Sequence, residues 1–295
     1  MKTLILITGA KGMLGTDLMA ALNSEHECIG ADIQKTNNIC ELDITNLSNV
    51  LELVGKLKPD LIINPAAYTN VDGCETEIDT AFKVNSIGAK NLAIASNEYN
   101  IPIVHISTDY VFNGEKNTPY IESDIPNPQS VYGQSKLDGE NFVRQLSNKH
   151  YIVRIQWLYG LNGKNFVTTI IKAAREKGAL KVVNDQWGSP TYTKDVAGAI
   201  KQLIKKPDYG TYHITNSGIT TWHDFTQEIL KQAGITGVTL TPCTTEEFPR
   251  PAKRPRYSPL DNMNWRLIGY EPLRPYQEAL KDYIAELGEI TNGKI

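Results

Sequence analysis

The chain has 295 residues, 41% of them hydrophobic and 21% charged, the balance of a globular protein with one large domain or two unequal lobes. A net charge of −3 gives no general attraction for nucleic acid or an anionic membrane, so neither is expected as a partner. The four cysteines, Cys28, Cys40, Cys74 and Cys243, are far apart with no C-x-x-C, which indicates neither a zinc site nor a disulfide framework. The chain opens on a strand-like run without a basic-then-apolar leader, and a cytoplasmic protein is expected.

The first half alternates short apolar runs with amphipathic stretches. Strands are expected at 4–7, 28–31, 61–64, 103–107 and 151–155, with helices near 13–22, 47–57, 79–98 and 132–146. Continuous apolar strands separated by helices predict an α/β fold, a doubly wound parallel sheet covered on both faces. After Gly160 the rhythm breaks. A helix near 166–177, a strand at 180–183 and the turn Trp187-Gly-Ser-Pro190 come next. A helix at 195–204 and a strand at 211–214 read as a return to the sheet. The tail carries a helix (222–233), a strand (238–241), a Pro/Arg-rich loop (248–259) and a terminal helix near 276–287, with a frayed end at 291–295. The domain reading is therefore 1–160 plus about 194–216 for a dinucleotide-binding unit, and about 161–193 plus 217–295 for a smaller substrate-binding lobe.

Gly9, Gly12 and Gly15 follow the first strand and open the first helix, where a pyrophosphate can sit on helix N-terminal amides. The spacing G-x-x-G-x-x-G is one residue longer than the usual dinucleotide fingerprint, and the strand–turn–helix context supports the assignment. Asp32 ends the second strand, where a carboxylate accepts from ribose hydroxyls. Asp43, Ile44, Ala66 and Ala67 fall at later strand ends, on the same carboxyl edge. Ser107 and Thr108 reach that edge at the end of the fourth alternating strand. Tyr132 and Lys136 stand four residues apart on a predicted helix, so phenol and ammonium share one face. A nearby cation favours the phenolate, and such a pair can hand a proton to a substrate oxygen. Hydroxyl, phenol and ammonium beside a dinucleotide are the equipment for ketone–alcohol hydride exchange.

These motifs give the chain a resemblance to the extended short-chain dehydrogenase/reductases. Within that group it resembles the dTDP-4-dehydrorhamnose reductase family. The shared segments are Gly9…Gly12…Gly15, 66–72, 107–112, 132–136, 154–160, 188–191 and 254–261, which span nearly the whole chain. The Ser-Thr-Asp-Tyr-Val-Phe segment and the late Arg-Pro segment are the specific ones. The resemblance implies reduction of the 4-keto group of a dTDP-4-dehydro sugar with NADPH or NADH as hydride donor, and a nucleotide sugar as the small-molecule partner.

Carried over by position, Tyr132 is the proton donor and Lys136 holds the nicotinamide ribose and lowers the tyrosine's pKa. Thr108 meets the reacting carbonyl, and Ser107 orients the nicotinamide side. Lys11, Met13, Leu14, Tyr68 and Asn85 join the cofactor set, and Asp109, Tyr110, Val111, Trp157, Arg254 and Arg256 the substrate set. Gln156 stands where family members usually carry a hydroxyl, and Lys11 and Met13 where Asn or Thr and then Gln are common. Some members pair through magnesium. Asp17 takes the place of a glutamate there, the other ligands have no evident counterparts, and no metal is expected. A monomer or homodimer fits the resemblance. Two other readings remain, a nucleotide-sugar epimerase or dehydratase, and a non-catalytic subunit like the regulatory subunit of methionine adenosyltransferase. The complete Thr108/Tyr132/Lys136 set speaks against the scaffold, and Tyr110 in place of a glutamate after Asp109 speaks against the dehydratase.

Overall fold

A computed structural model of the chain describes residues 2–36 and 38–292, with side chains through residue 288. Seven strands form one sheet: β1 (Leu4–Thr8), β2 (Glu27–Asp32), β3 (Ile39–Glu41), β4 (Leu61–Asn64), β5 (Ile103–Thr108), β6 (His150–Ile155) and β7 (Gly210–His213). Their order is β7-β6-β5-β4-β1-β2-β3, and every pairing in it is parallel. The chain winds outward from β1 in both directions. The crevice above the carboxyl ends of β1 and β4 is therefore the topological switch point at which such sheets bind ligands.

Alternation along each strand divides the core. Ile5, Ile7, Ile63, Val104, Ile106 and Val153 pack on one face against the helices Met13–Leu22 and Thr193–Leu203. Leu6, Ile62, Ile103 and Ile152 pack on the other against Val50, Val54, Leu92 and Val143. Both faces are covered, which is why these strands read as continuous apolar runs.

A separate apolar cluster lies beyond the sheet. It is built from Val167, Ile170, Tyr159, Tyr192, Phe225, Ile229, Leu280 and Tyr283. Short ladders accompany it: Ala179–Val183 with Thr239–Cys243, Leu158–Tyr159 with Thr191–Tyr192, and Trp187–Gly188 with Thr220–Thr221. The Pro/Arg-rich loop is stitched in place, because Trp187 N donates to Arg256 O at 2.8 Å and Tyr257 N to Gly114 O at 3.1 Å.

Several elements differ from expectation. Strand β3 is absent from the sequence expectation; three residues at a sheet edge, two half-buried and one exposed, leave too little apolar pattern to detect. The helix expected at 79–98 holds a π-helical segment, Lys83–Ile87, between Ile78–Phe82 and Gly88–Glu98. The terminal helix runs Tyr276–Asn292, past the expected 287. Of the end expected to fray, Thr291 and Asn292 are helical and 293–295 lie outside the described residues. No helix among the described residues is long and apolar enough to cross a membrane.

Candidate active site

The glycine turn sits on the crevice. Gly9 has φ +56°, and a Cβ there would stand 2.8 Å from Ala66 Cα, so the turn can approach β4 this closely only without a side chain. Gly12 caps the helix Met13–Leu22 with no side-chain hydrogen bond to its first amides. Those donors face outward for an anionic group. Leu14 and Ile44 are buried in the core, leaving only their backbones for a ligand, while Met13 is half-buried and Asp43 exposed. Lys11 N donates to Asp32 Oδ2 at 3.0 Å, and Lys11 Nζ reaches Gln34 Oε1 at 3.0 Å. Ala66, Ala67 and Tyr68 form a half-buried segment without regular secondary structure after β4.

Asn85 lies in the π-helical segment, 1% exposed. The extra residue of a π turn re-aims a side chain, and such turns occur often at functional sites. Asn85 Oδ1 accepts from Tyr68 N at 2.8 Å, while Nδ2 donates to Tyr68 O and to Ser135 Oγ. It thereby ties the segment after β4 to the N-terminal half of the helix Val131–Leu146. That helix starts on Ser130, whose Oγ accepts from Gly133 N at 3.2 Å, with Val131 N donating to Glu75 Oε1. A Cβ at Gly133 would lie 2.2 Å from Tyr110 O, so the absent side chain lets this turn press against the end of β5.

Tyr132, Thr108 and Lys136 come together there. The Thr108 hydroxyl adjoins the Tyr132 phenol and favours its ionised form, yet burial outweighs that and pushes the phenol above its ordinary pKa. Tyr110 packs edge-on to the Tyr132 ring, centroids 5.5 Å apart. Lys136 is 3% exposed, and Nζ donates to Ile106 O at 2.6 Å. Burial lowers its pKa to about 8, opposed by Glu140. One N–H of the Lys136 ammonium goes to a β5 carbonyl, and desolvation is the largest influence on the phenol, favouring its neutral, proton-bearing form.

Other expected residues divide by placement. Ser107 is buried near the Glu140 carboxylate, its hydroxyl without a hydrogen-bond partner among the described residues, while Thr108 adjoins the phenol. Val111 is fully buried with Phe112, Tyr120 and Leu260, so its side chain serves packing. Tyr110 is half-buried at the crevice, beside the guanidinium of Arg254. Arg254 itself pairs with Asp72 and donates to Ala252 O at 2.7 Å, clasping the late loop onto the segment after β4. Arg256 is exposed. Trp157 has φ +45°, an uncommon conformation for a bulky residue, and stacks on Trp222 at 3.5 Å between centroids. Strained backbone of this kind clusters at functional sites. Asp17 adjoins Thr193 and Lys194, and Lys194 pairs with Glu286, so a protein cation already stands in that acidic group.

Two buried networks escaped the sequence reading. Arg154 forks onto Glu140, with Nε–Oε1 at 2.9 Å and Nη2–Oε2 at 2.8 Å, both residues 1% exposed or less. Spacing alone could have flagged Glu140, since 132, 136 and 140 share a helix face. The second joins Thr108, Asp109, Gln156 and Ser258. Its members come from distant segments, and nothing in their local patterns links them.

Parallel sheet, glycine turn and a Tyr/Lys pair beside a strand-end threonine together define a nicotinamide-dependent oxidoreductase of the extended short-chain dehydrogenase/reductase class. A family model described as RmlD substrate binding domain matches residues 1–289, and the chain belongs to this family. A solved dTDP-4-dehydrorhamnose reductase from Clostridium acetobutylicum is 49% identical, with a TM-score of 0.93 over 97% of this chain and 100% of that one. A Bacillus anthracis dTDP-4-dehydrorhamnose reductase, solved in complex with NADP, is 42% identical at a TM-score of 0.93 over the same shares. The Bacillus subtilis spore coat polysaccharide biosynthesis protein SpsK is 41% identical, covering 96% of this chain and 98% of its own length.

Proposed function

We propose that the chain reduces the 4-keto group of dTDP-4-dehydro-L-rhamnose to dTDP-L-rhamnose, in dTDP-rhamnose biosynthesis, with NADPH or NADH as donor. The observation that carries this is the meeting of Thr108, Tyr132 and Lys136 at the sheet edge, in a chain covering all of a reductase 49% identical to it. The side-chain-free turn at Gly9 and the uncapped amides after Gly12 fit a dinucleotide pyrophosphate. When bound, the nicotinamide supplies a hydride to the carbonyl carbon.

Met13 and Leu14 offer backbone amides to the pyrophosphate, on a turn shaped by Gly9, Lys11 and Gly12; Asp32, Asp43 and Ile44 border the adenosine end. Ala66, Ala67 and Tyr68, held by Asn85, floor the crevice. Ser107, whose buried hydroxyl has no partner among the described residues, orients the nicotinamide side. Tyr132, protonated at neutral pH, gives its proton to the oxygen that gains charge as the carbonyl is reduced. Thr108 binds that oxygen, and Lys136 supplies the nearest positive charge. Arg256, exposed at the rim, suits a diphosphate as a bidentate donor. Arg254 and Tyr110 wall the sugar pocket, with Asp109 buried behind them.

Residues 1–160 with about 194–216 make the cofactor unit in this reading, supported by the seven-stranded sheet. Residues about 161–193 with 217–295 make the sugar-nucleotide lobe, supported by the separate apolar cluster. The four unpaired cysteines accord with a reducing, cytoplasmic setting, and the protein works as a monomer or homodimer. The test is incubation with NADPH or NADH and dTDP-4-dehydrorhamnose, following loss of nicotinamide absorbance and identifying the sugar formed. No turnover, or a product other than dTDP-L-rhamnose, overturns it.

Three variants probe the pockets. Asp32 has one oxygen on Lys11 N, which leaves the other for a ribose hydroxyl, and its charge repels a 2′-phosphate. Lys11 Nζ is drawn toward Gln34, and an exposed lysine contributes only ~0–1 kcal/mol. NADH is expected to serve at least as well as NADPH, with Asp32→Ala shifting kcat/KM toward NADPH. A strong wild-type preference for NADPH, lost in Lys11→Ala, would give the choice to the lysine. Trp157→Ala is expected to raise the sugar-nucleotide KM, a loss of ~1–3 kcal/mol, with cofactor affinity kept. A lowered Tm with unchanged KM would reduce Trp157 to a stacking partner for Trp222.

A further inference from the structure

A buried carboxyl group lies directly beside Thr108. Asp109 is 2% exposed, and the side chains hydrogen-bonded to it are all neutral. Oδ1 accepts from Thr108 Oγ1 at 3.1 Å; Oδ2 accepts from Gln156 Nε2 at 2.9 Å and from Ser258 Oγ at 2.7 Å. A buried anion without a counter-ion is costly, and three neutral donors only partly offset that cost. Burial raises the carboxyl above the ordinary aspartate range, to about 6, against the three side-chain hydrogen bonds and one from its own backbone amide that lower it.

The same geometry constrains Thr108. A threonine hydroxyl carries one proton, and an ionised carboxylate can only accept. While Asp109 is charged, that proton is committed to Oδ1, and the Thr108 oxygen serves as acceptor for Tyr110 N at 3.2 Å. A neutral Asp109 can instead donate to Thr108 Oγ1, releasing the hydroxyl proton toward the crevice.

We propose that Asp109 is a positioning residue that, by carrying a proton, makes Thr108 a hydrogen-bond donor to the substrate's keto oxygen. The inference rests on the reading of Thr108 as the carbonyl-binding group. Gln156 anchors the arrangement across the two parts of the chain. Its Nε2 also donates to Ser258 O at 2.7 Å, and its Oε1 accepts from Ser189 N at 2.6 Å. The residue that departs from the family pattern is thus a structural tie between β6, the turn at 189 and the Pro/Arg-rich loop.

The groups facing Asp109 do not compete for this titration. Tyr132 on the helix Val131–Leu146 and Tyr110 on the adjoining turn are both phenols that burial pushes upward, and they stay neutral. Beyond Tyr110 lie Arg254 and Asp72, paired with each other. Gln156 from the end of β6 and Ser258 from the late loop are uncharged. Lys136, directed at Ile106 O, titrates near 8.

The test is the pH dependence of kcat/KM and kcat in wild type and Asp109→Asn. The asparagine oxygen can take the place of Oδ2 before Gln156 and Ser258, with its amide donating to Thr108 at every pH. Wild-type kcat/KM is expected to fall roughly 10²–10³-fold to a lower plateau as pH rises through the Asp109 titration. The corresponding step in kcat lies at higher pH, because bound ligands exclude water from the carboxyl. Asp109→Asn lacks the step and keeps the limb set by Lys136. A step at unchanged pH in Asp109→Asn overturns the proposal.

Should that variant fail to fold, Gln156→Met removes one donor from the carboxylate and moves the step to higher pH; an unmoved step overturns the proposal. Difference infrared titration of the wild-type protein reads the carboxyl directly, without turnover. A protonated-carboxyl band titrating near the kinetic step supports the assignment, and its absence refutes it. If the wild type shows no turnover of the sugar nucleotide, the reductase reading fails, while the infrared titration still decides the protonation of Asp109.

Discussion

Replacing Tyr132 by phenylalanine is expected to lower kcat by roughly 10²–10⁴-fold, the range for loss of a positioned acid–base group. The ring keeps its edge contact with Tyr110, so the helix start is undisturbed and only the hydroxyl beside Thr108 is lost. Cofactor affinity is expected to stay near the wild-type value, because Lys136 and Asn85 hold the surrounding backbone independently of the phenol. Steady-state kinetics with a parallel cofactor titration decide the matter. Full activity in a variant that binds cofactor normally would remove Tyr132 from the reaction.

The phenol's raised pKa gives the pH profile its direction. A group kept neutral by burial remains a proton donor throughout the neutral range, so Tyr132 sets no limb there. Lys136 does, because burial brings its titration down to about 8, and turnover falls as the ammonium is lost above that pH. Stability moves in the opposite sense. The unfolded chain binds this proton up to the ordinary lysine value of 10.5, so deprotonation favours the folded state as pH rises between the two.

The sheet and the principal site residues were legible because each leaves a local signature. Strands buried on both faces show as unbroken apolar runs, and the Tyr132/Lys136 pair shows as a helical spacing in front of Leu137 and Val143. The glycine turn is readable because only the absence of a side chain permits the approach of Gly9 to Ala66. What escaped was set by contacts between distant segments. Asp109, Gln156 and Ser258 meet across 149 residues of chain, and β3 takes its conformation from its neighbour β2 more than from its own three side chains. The electrostatic state of Tyr132 escaped for a related reason. Spacing placed a lysine on its face, but only the fold shows that the ammonium is hydrogen-bonded to Ile106 O and the phenol desolvated.

Glu140→Gln is expected to cost about 3–5 kcal/mol of stability, the range for removing one partner of a buried ion pair. Glutamine keeps the volume, so the loss comes from charge and not from a cavity. Arg154 is left 1% exposed, beside His213, which burial and this guanidinium together hold neutral at about 3. In the wild type, burial raises the Glu140 carboxyl, and Arg154, Arg144 and the Ser107 hydroxyl outweigh that to bring it to about 2. A depressed carboxyl contributes stability that is complete above its unfolded value of 4.5 and lost as pH falls toward 2. The difference between wild type and Glu140→Gln in urea unfolding is therefore expected to be largest near neutrality and to shrink through that acid window. A pH-independent difference would assign the loss to hydrogen-bond geometry instead of charge. The same substitution reaches the active site one helical turn away. The Glu140 charge raises the pKa of Lys136, so its removal is expected to move the alkaline limb of kcat below its wild-type position near 8. An unmoved limb, in a variant that has lost the expected stability, would show that the buried pair supports the fold without tuning the lysine.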